Sequence, residues 1–318
     1  MAERVRWGIL GTGDINRKLL RGARQSTEVE VVAVASRDAE RAAAFASEHG
    51  IPRSFGTYEA MLADSDVDAV YLSLPNALHH PWTLTALAAG KHVLCEKPYT
   101  RRPEEVMEAF DAADRAGLVL SEAFMWRHTR QTQRLLELLP RIGQLQTVRA
   151  TFSFALENAA NIRLRADLDG GSLMDVGCYC VSAARLLAGE EPASVFGMQE
   201  VGPTGVDMRF SGLVRFPGGV VGDLTAGFTT FSESLEVIGT AGMLRLPDPW
   251  HNQRGLILLN DEEMRMEPSN PYQLELENIS AAIRGEAAPL LGRNDALGQA
   301  RTIAALYESA DAHREVRL

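Results

Sequence analysis

Two short stretches of this 318-residue sequence hold side chains able to move protons on a bound molecule. The first is Glu96-Lys97-Pro98, which follows the apolar run 92–95. If that run is a buried strand of a parallel sheet, Lys97 sits at the sheet's carboxyl edge, where open α/β sheets bind ligands. An ammonium there can bind a substrate oxygen and favour its anionic form. The plainer reading of Lys97 is an exposed turn lysine, the usual state of that residue. The second stretch is Gly170-Gly171-Ser172-Leu173-Met174-Asp175-Val176-Gly177-Cys178-Tyr179. Asp175 and Tyr179 are four apart and share a face if the segment is helical. A carboxylate can orient a hydroxyl. A phenol titrates at about 10 and becomes a base at neutral pH only beside a cation, which Lys97 would supply. A helix-capping Asp beside a core Tyr is the alternative, and spacing alone does not choose between the two.

A ligand for such groups is suggested at the start of the chain. Gly11-Thr12-Gly13-Asp14-Ile15-Asn16 fits G-x-G-x-x-x between an apolar run, 5–10, and the helical spacing of Ile15, Leu19 and Leu20. The first glycine permits a tight turn and the second lets backbone approach a pyrophosphate seated on the amides of a helix N-terminus. Asn16 replaces the small third residue, which predicts looser helix–strand packing. Specificity is read at the end of the next strand, where NAD enzymes carry an acid for the ribose 2′-hydroxyl. Here the residues are Ser36 and Arg37, with Arg41 one turn on, a set suited to a 2′-phosphate. NADP is therefore expected over NAD, and Asp38 is the one residue that argues the other way.

The elements that must position these residues follow from periodicity. Apolar runs at 5–10, 29–35, 69–74, 92–95 and 118–121 alternate with helical patterns at 15–20, 39–49, 83–89 and 104–116. That order predicts parallel βαβ units with helices on both faces. After about Phe124 the pattern changes. A helix over 131–139 precedes runs at 147–154, 194–201, 206–216, 220–228 and 234–239, many alternating apolar and polar, with turns at Pro217-Gly218 and Ala241-Gly242. Helices over 272–284 and 295–314 close the chain. The expected class is α/β: a Rossmann dinucleotide-binding domain over 1–123, then an α+β domain over 124–318 with a large, open, mainly antiparallel sheet. The C-terminal helix has the option of packing back on the first domain.

Composition excludes other classes. Lys and Arg number 32 against 42 Asp and Glu, a net charge of −10, which disfavours a nucleic-acid or anionic-membrane surface. Three cysteines (Cys95, Cys178, Cys180) are too few for a disulfide framework, and Cys178-x-Cys180 reads as core thiols. His79-His80 lacks acidic or Cys partners at ligand spacing, so no metal is expected. No apolar stretch reaches the roughly 20 residues of a membrane span, and no signal-peptide layout opens the chain. A cytoplasmic location is expected.

The segments GILGTGDI, AVASRD, SLPNALHHPWTLTALAAGKHVLCEKP, EAFMWRH and GGSLMDVGCYCV resemble the glucose–fructose oxidoreductase / inositol dehydrogenase / rhizopine-catabolism (Gfo/Idh/MocA) family nearly end to end. EAFMWR with DVGCYC is similar to its NADP-linked branch of sugar and dihydrodiol dehydrogenases. The resemblance implies hydride transfer between nicotinamide and a hydroxyl- or carbonyl-bearing carbon of a sugar, polyol or dihydrodiol. Lys97 would contact substrate and nicotinamide, its bond to Pro98 being cis. Asp175 would be the substrate-side aspartate. Tyr179, where many members carry histidine, would be the proton donor or acceptor, which disfavours an inositol dehydrogenase. Leu74, Pro75, Asn76 and His79 would line the cofactor, with Glu96 beside them, and Arg163 and Tyr272 would touch NADP. Trp126, Arg127 and Phe154 would line the substrate pocket. Pairing of open sheet faces implies a homodimer or homotetramer. NAD-assisted glycoside hydrolysis, known in distant members, and a non-catalytic dinucleotide sensor are the competing readings; the retained lysine and tyrosine count against the sensor.

Overall fold

The computed structural model describes residues 4–318. The chain forms two compact units: one is built from residues up to Met125 plus Asn270–Leu297, the other from Trp126–Ser269 plus Gly298–Leu318.

The first unit is a six-stranded, wholly parallel sheet. Its strands are β1 (Val5–Leu10), β2 (Val29–Ala35), β3 (Arg53–Phe55), β4 (Ala69–Leu72), β5 (His92–Glu96) and β6 (Leu120–Ala123), in the order β3-β2-β1-β4-β5-β6. Ile9, Leu10, Val34, Val70, Leu72 and Leu94 have no meaningful exposure. Burial on both faces explains why these strands read as unbroken apolar runs. The helices are α1 (Ile15–Ala23), α2 (Ala39–His49), α3 (Tyr58–Leu62), α4 (His79–Ala88) and α5 (Pro103–Ala116). Helix α5 opens on Pro103 and stops at Gly117, whose φ of 66° is left-handed, the N-terminal proline and C-terminal glycine of a well-delimited helix. Strand order reverses between β1 and β4, and a ligand cleft is expected at their carboxyl ends.

Strand β3 and helix α3 are absent from the sequence reading because three and five residues carry too little periodicity to register. A larger difference concerns the late helix later labelled α8 (Pro271–Ile283), which a division at residue 123 would leave in the second domain. It belongs to the first unit. The Trp7 indole N–H donates to Ser280 Oγ at 3.2 Å, and Arg284 pairs with Glu28 at 2.6 Å. Gly22 of α1 allows the approach, since a Cβ there would lie 2.6 Å from the backbone nitrogen of Gln273.

The second unit holds a nine-stranded sheet. After α6 (Arg130–Leu138) come β7 (Leu145–Ser153), a π-helical turn at Leu173–Gly177 running into α7 (Cys178–Ala188), and β8 (Ser194–Val201). The strands continue as β9 (Asp207–Arg215), β10 (Val221–Gly227), β11 (Ser232–Gly239), β12 (Met243–Leu246), β13 (Leu256–Leu259) and β14 (Glu262–Arg265), and β15 (Val316–Arg317) follows α9 (Arg293–Ala312). The order is β14-β13-β12-β11-β7-β10-β9-β8-β15. Every pair is antiparallel except β7 with β10. Val148, Ala150, Val214, Leu224, Leu235 and Val237 are buried on one face. On the other, Phe196, Met198, Leu213 and Val221 are exposed. Alternation along the strands produces this two-sided character. Strands β12 to β15, two to four residues long, were not expected from the sequence. No helix among the described residues is long and apolar enough to cross a membrane.

Candidate active site

In the first unit the glycine turn has the geometry expected of it. Gly11 has a φ of +107°, and a Cβ there would lie 3.2 Å from Ser73 Oγ, so only glycine fits. Around Gly13 the opposite holds: a Cβ would meet nothing within 4 Å. Thr12, Gly13 and Ile15 are partly exposed and Asp14 is fully exposed. The open space at Gly13 suits close approach by a pyrophosphate to the start of α1. Asn16 corrects the expectation of looser packing. It is fully buried and its Nδ2 donates to Gly11 O at 3.0 Å, fastening the turn that a small residue would leave to packing alone.

At the end of β2, Ser36 is buried while Arg37 and Arg41 are exposed. Asp38 accepts the Arg41 backbone N–H at 3.1 Å as the N-cap of α2. Its carboxylate is thereby used to close a helix end. Arg37 and Arg41 are close enough to Tyr58 to oppose the upward push that burial gives its phenol.

Beyond β4, Leu74 is buried, and Pro75 and Asn76 lead through a 3₁₀ turn into α4. His79 opens α4. It has no solvent exposure, its Nδ1 lies 2.9 Å from Pro98 O, and its Nε2 lies 2.8 Å from Leu74 O. A ring held between two backbone carbonyls is placed to support the loop. Glu96 accepts from the Tyr71 phenol and, at 3.2 Å, from the Lys97 backbone N–H. Lys97 is half-buried, and its bond to Pro98 is cis. Behind this turn the Glu275 carboxyl is 1% exposed. Burial, reinforced by Glu96, pushes its pKa well above the usual range. Tyr272 is buried against Gly22 of α1.

In the second unit Asp175 lies within the π-helical turn, and Tyr179 lies in the first turn of α7. Asp207 organises the entry to that turn. Its buried carboxylate accepts from Ser172 Oγ at 2.7 Å, Leu173 N at 2.7 Å and the Tyr307 phenol at 2.8 Å. Asp175 accepts from Arg163 Nε at 2.6 Å, and the Arg163 guanidinium also lies 5.8 Å from the Phe154 ring centroid. Arg163 is therefore a partner of the candidate carboxylate. Tyr179 is 7% exposed and packs on Phe152 (5.3 Å) and Trp250 (5.6 Å). Trp126 is 1% exposed, edge-on to Trp250 at 5.5 Å, with the Arg127 guanidinium 5.9 Å from its ring. It is buried together with these rings. Arg127 donates to Ser182 Oγ at 3.4 Å, and Phe154 stands beside Phe228.

Phe152, Trp250 and His251 join this group without having been singled out by the sequence reading; His251 stands edge-on to Phe152. The alternation of Phe152 with Ala150 on β7 was the available signal for the first, and a lone Pro-Trp-His after a short strand was the weak signal for the others. Glu233, Asp248 and His251 also bring potential ligand atoms within 4.8 Å of one another, a juxtaposition that sequence spacing conceals. Asp248 accepts two backbone N–H groups, from Gln253 and Arg254. All three cysteines are buried free thiols.

Comparison with known proteins agrees with both halves of this geometry. Residues 5–124 match the model of the oxidoreductase family with an NAD-binding Rossmann fold, and residues 133–245 match the GFO/IDH/MocA C-terminal domain. The chain is 40% identical to D-xylose 1-dehydrogenase (NADP(+)) 2 of Haloferax volcanii, over 98% of this chain and 99% of that protein. Among solved structures, aldose-aldose oxidoreductase from Caulobacter crescentus superposes with a TM-score of 0.92 at 27% identity, covering 99% and 100% of the two chains. A 3-ketoreductase from Actinomadura kijaniata, solved with NADP and TDP-benzene, gives 0.91 at 28% identity over 96% and 98%. With the NAD(P)-type glycine turn in its first unit and this likeness along its whole length, the chain belongs to the Gfo/Idh/MocA family of oxidoreductases.

Proposed function

We propose that the chain is an NADP-linked oxidoreductase that transfers hydride between the nicotinamide and a hydroxyl- or carbonyl-bearing carbon of a sugar-like substrate. The observation that carries the cofactor choice is at the end of β2. The one acid there, Asp38, is committed to the Arg41 backbone N–H, and the Arg37 and Arg41 side chains extend into solvent. Two guanidiniums attract a 2′-phosphate, and a carboxylate engaged at its own helix end is not presented to a ribose 2′-hydroxyl. The NADP named for the xylose dehydrogenase and held by the 3-ketoreductase supports the same choice. The aldose substrates named for two of these relatives support a sugar-like substrate.

Gly11, Thr12, Gly13, Asp14 and Ile15 would receive the pyrophosphate, Ser36, Arg37 and Arg41 the 2′-phosphate, and Leu74, Pro75, Asn76 and Glu96 the nicotinamide half. The bound dinucleotide supplies the hydride acceptor or donor. Tyr179 removes the proton from the reacting hydroxyl, or returns it to a carbonyl. Lys97 binds the same oxygen and favours the phenolate of Tyr179. Asp175, fixed by Arg163, orients the hydroxyl. Phe152, Trp250 and Phe154 supply apolar surface, and Arg127 a polar edge. The exposed side chains of Phe196, Met198, Leu213 and Val221 support pairing of this sheet face with a second copy of the chain.

The test is initial-rate kinetics with aldoses, keto-sugars and trans-dihydrodiols, using both NADP and NAD forms. Turnover of an aldose with NADP preferred is expected, and Arg37→Ala should raise the Kd for NADP about 10- to 100-fold, the worth of one charge-assisted hydrogen bond, with little change for NAD. Equal use of NAD and NADP by the unaltered protein would overturn the cofactor assignment.

A further inference from the structure

The two loops assigned above to the nicotinamide half come from different strands. Leu74-Pro75-Asn76 follows β4, and Lys97-Pro98 follows β5. One side chain touches both. His79, in the first turn of α4, has both ring nitrogens on backbone carbonyls: Nε2 on Leu74 O at 2.8 Å and Nδ1 on Pro98 O at 2.9 Å. No water reaches the ring, which is fully buried. We propose that His79 is a positioning residue that clamps these two loops together and so fixes Lys97 relative to the cofactor-lining turn. The proposal rests on the role given to Lys97 above.

Hydrogen-bond arithmetic defines the clamp: in the neutral ring it is one hydrogen bond to one loop, with the ring packed against the carbonyl of the other. Neutral imidazole has one N–H donor, so it can bond only one of the two carbonyls; the other meets a ring lone pair, an unfavourable contact. Imidazolium donates to both. The groups bearing on that choice come from three directions. Burial favours the neutral ring most strongly, and the nearby Lys97 ammonium favours it too; the carbonyls of Pro98 and Leu74, with backbone at Tyr99, favour the charged ring. Burial prevails and the pKa falls below its usual value. His79 and Lys97 are thus electrostatically coupled, and coupling is reciprocal. Removing the lysine charge must raise the affinity of His79 for a proton, and protonating His79 must disfavour the lysine ammonium.

Two measurements test this. In the first, His79→Gln and His79→Ala are compared with the unaltered protein after circular dichroism has established folding. Turnover should drop at least 10-fold in both while the Michaelis constant for the sugar changes less than threefold. Gln, which keeps one amide donor, should retain more activity than Ala. A folded variant with unaltered turnover would overturn the clamp. The second does not depend on turnover. With ¹⁵N-labelled histidine, the His79 ring should show one protonated and one bare nitrogen at neutral pH, and Lys97→Met should move its titration upward. Titrations that superimpose in the two proteins would refute the coupling, and two intermediate nitrogen shifts, the signature of tautomers in exchange, would refute a ring held on one carbonyl. If the unaltered protein turns over none of the sugars, the functional reading fails, while the nitrogen spectra still decide the clamp.

Discussion

Tyr179 shows how little freedom the candidate base has. Phe152 and Trp250 pack against its ring and leave it 7% exposed. Ionising a buried phenol costs desolvation, so the role proposed for Tyr179 requires a cation beside it. Tyr179→Phe keeps the ring packing and removes only the proton carrier. It should leave the NADP Kd within about twofold, and lower kcat about 10²- to 10⁴-fold, the usual worth of a general acid–base group. Stopped-flow and steady-state assays read the two effects separately. A smaller loss would assign the proton to another group. At this scale the sequence was informative where function demands a residue type at a fixed offset. Gly11, Lys97, Asp175 and Tyr179 were all singled out from short motifs. It was silent on how His79, Arg163, Tyr272 and Trp126 are held, because a motif records that a residue is needed and does not say whether it faces a ligand or holds the residue that does.

The element that matters most is the π-helical turn before α7. A five-residue stretch of wide helix is uncommon and is found mostly at functional sites. Here it carries Asp175 and hands the chain to α7 one residue before Tyr179. Its entrance is fixed by Asp207, whose three donors are Ser172, Leu173 and Tyr307. Gly171, at φ +121°, allows the contact, because a Cβ there would lie 2.1 Å from Asp207 Oδ1. Asp207→Ala leaves those donors without an acceptor in a buried place. It should destabilise the protein by about 2–4 kcal/mol, read as a lower midpoint in urea, with activity falling in the remaining folded protein. The sequence placed a helix-like face here without its widened form, since the entrance of the turn is held by Asp207, which is 34 residues beyond Leu173. Short strands such as β3 and β12 to β15 were illegible for a similar reason: their pairing is supplied by neighbours, not by their own pattern.

Across the whole molecule, the division into a parallel-sheet half and an antiparallel-sheet half was legible because one produces continuous apolar runs and the other alternation. The return of α8 to the first unit was not, because an amphipathic helix does not announce its partner. Two predictions belong to this scale. His128 is 5% exposed, and burial, with Arg127 assisting, holds its pKa down at about 3. Because the unfolded chain takes up that proton near pH 6.5 and the folded one does not, stability is full above the unfolded pKa and is lost as pH falls toward about 3. The loss attributable to His128 should approach about 4 kcal/mol, and urea midpoints for His128→Gln should show a shallower decline over that window. The exposed sheet face supplies the second: Met198→Asp with Leu213→Arg should convert a dimer to monomer in light scattering while leaving the fold intact. An unaltered particle mass would remove this face from assembly.

The first unit is completed only by Asn270–Leu297, after 144 residues of the other unit, Trp126–Ser269, have intervened. No single scission can therefore release a finished nucleotide-binding half. A fragment ending at Met125 would leave Trp7 without Ser280 and the Gly22 side of α1 bare. During synthesis, that half must wait for most of the chain before its last helix is available, so its assembly is tied to completion of what lies between.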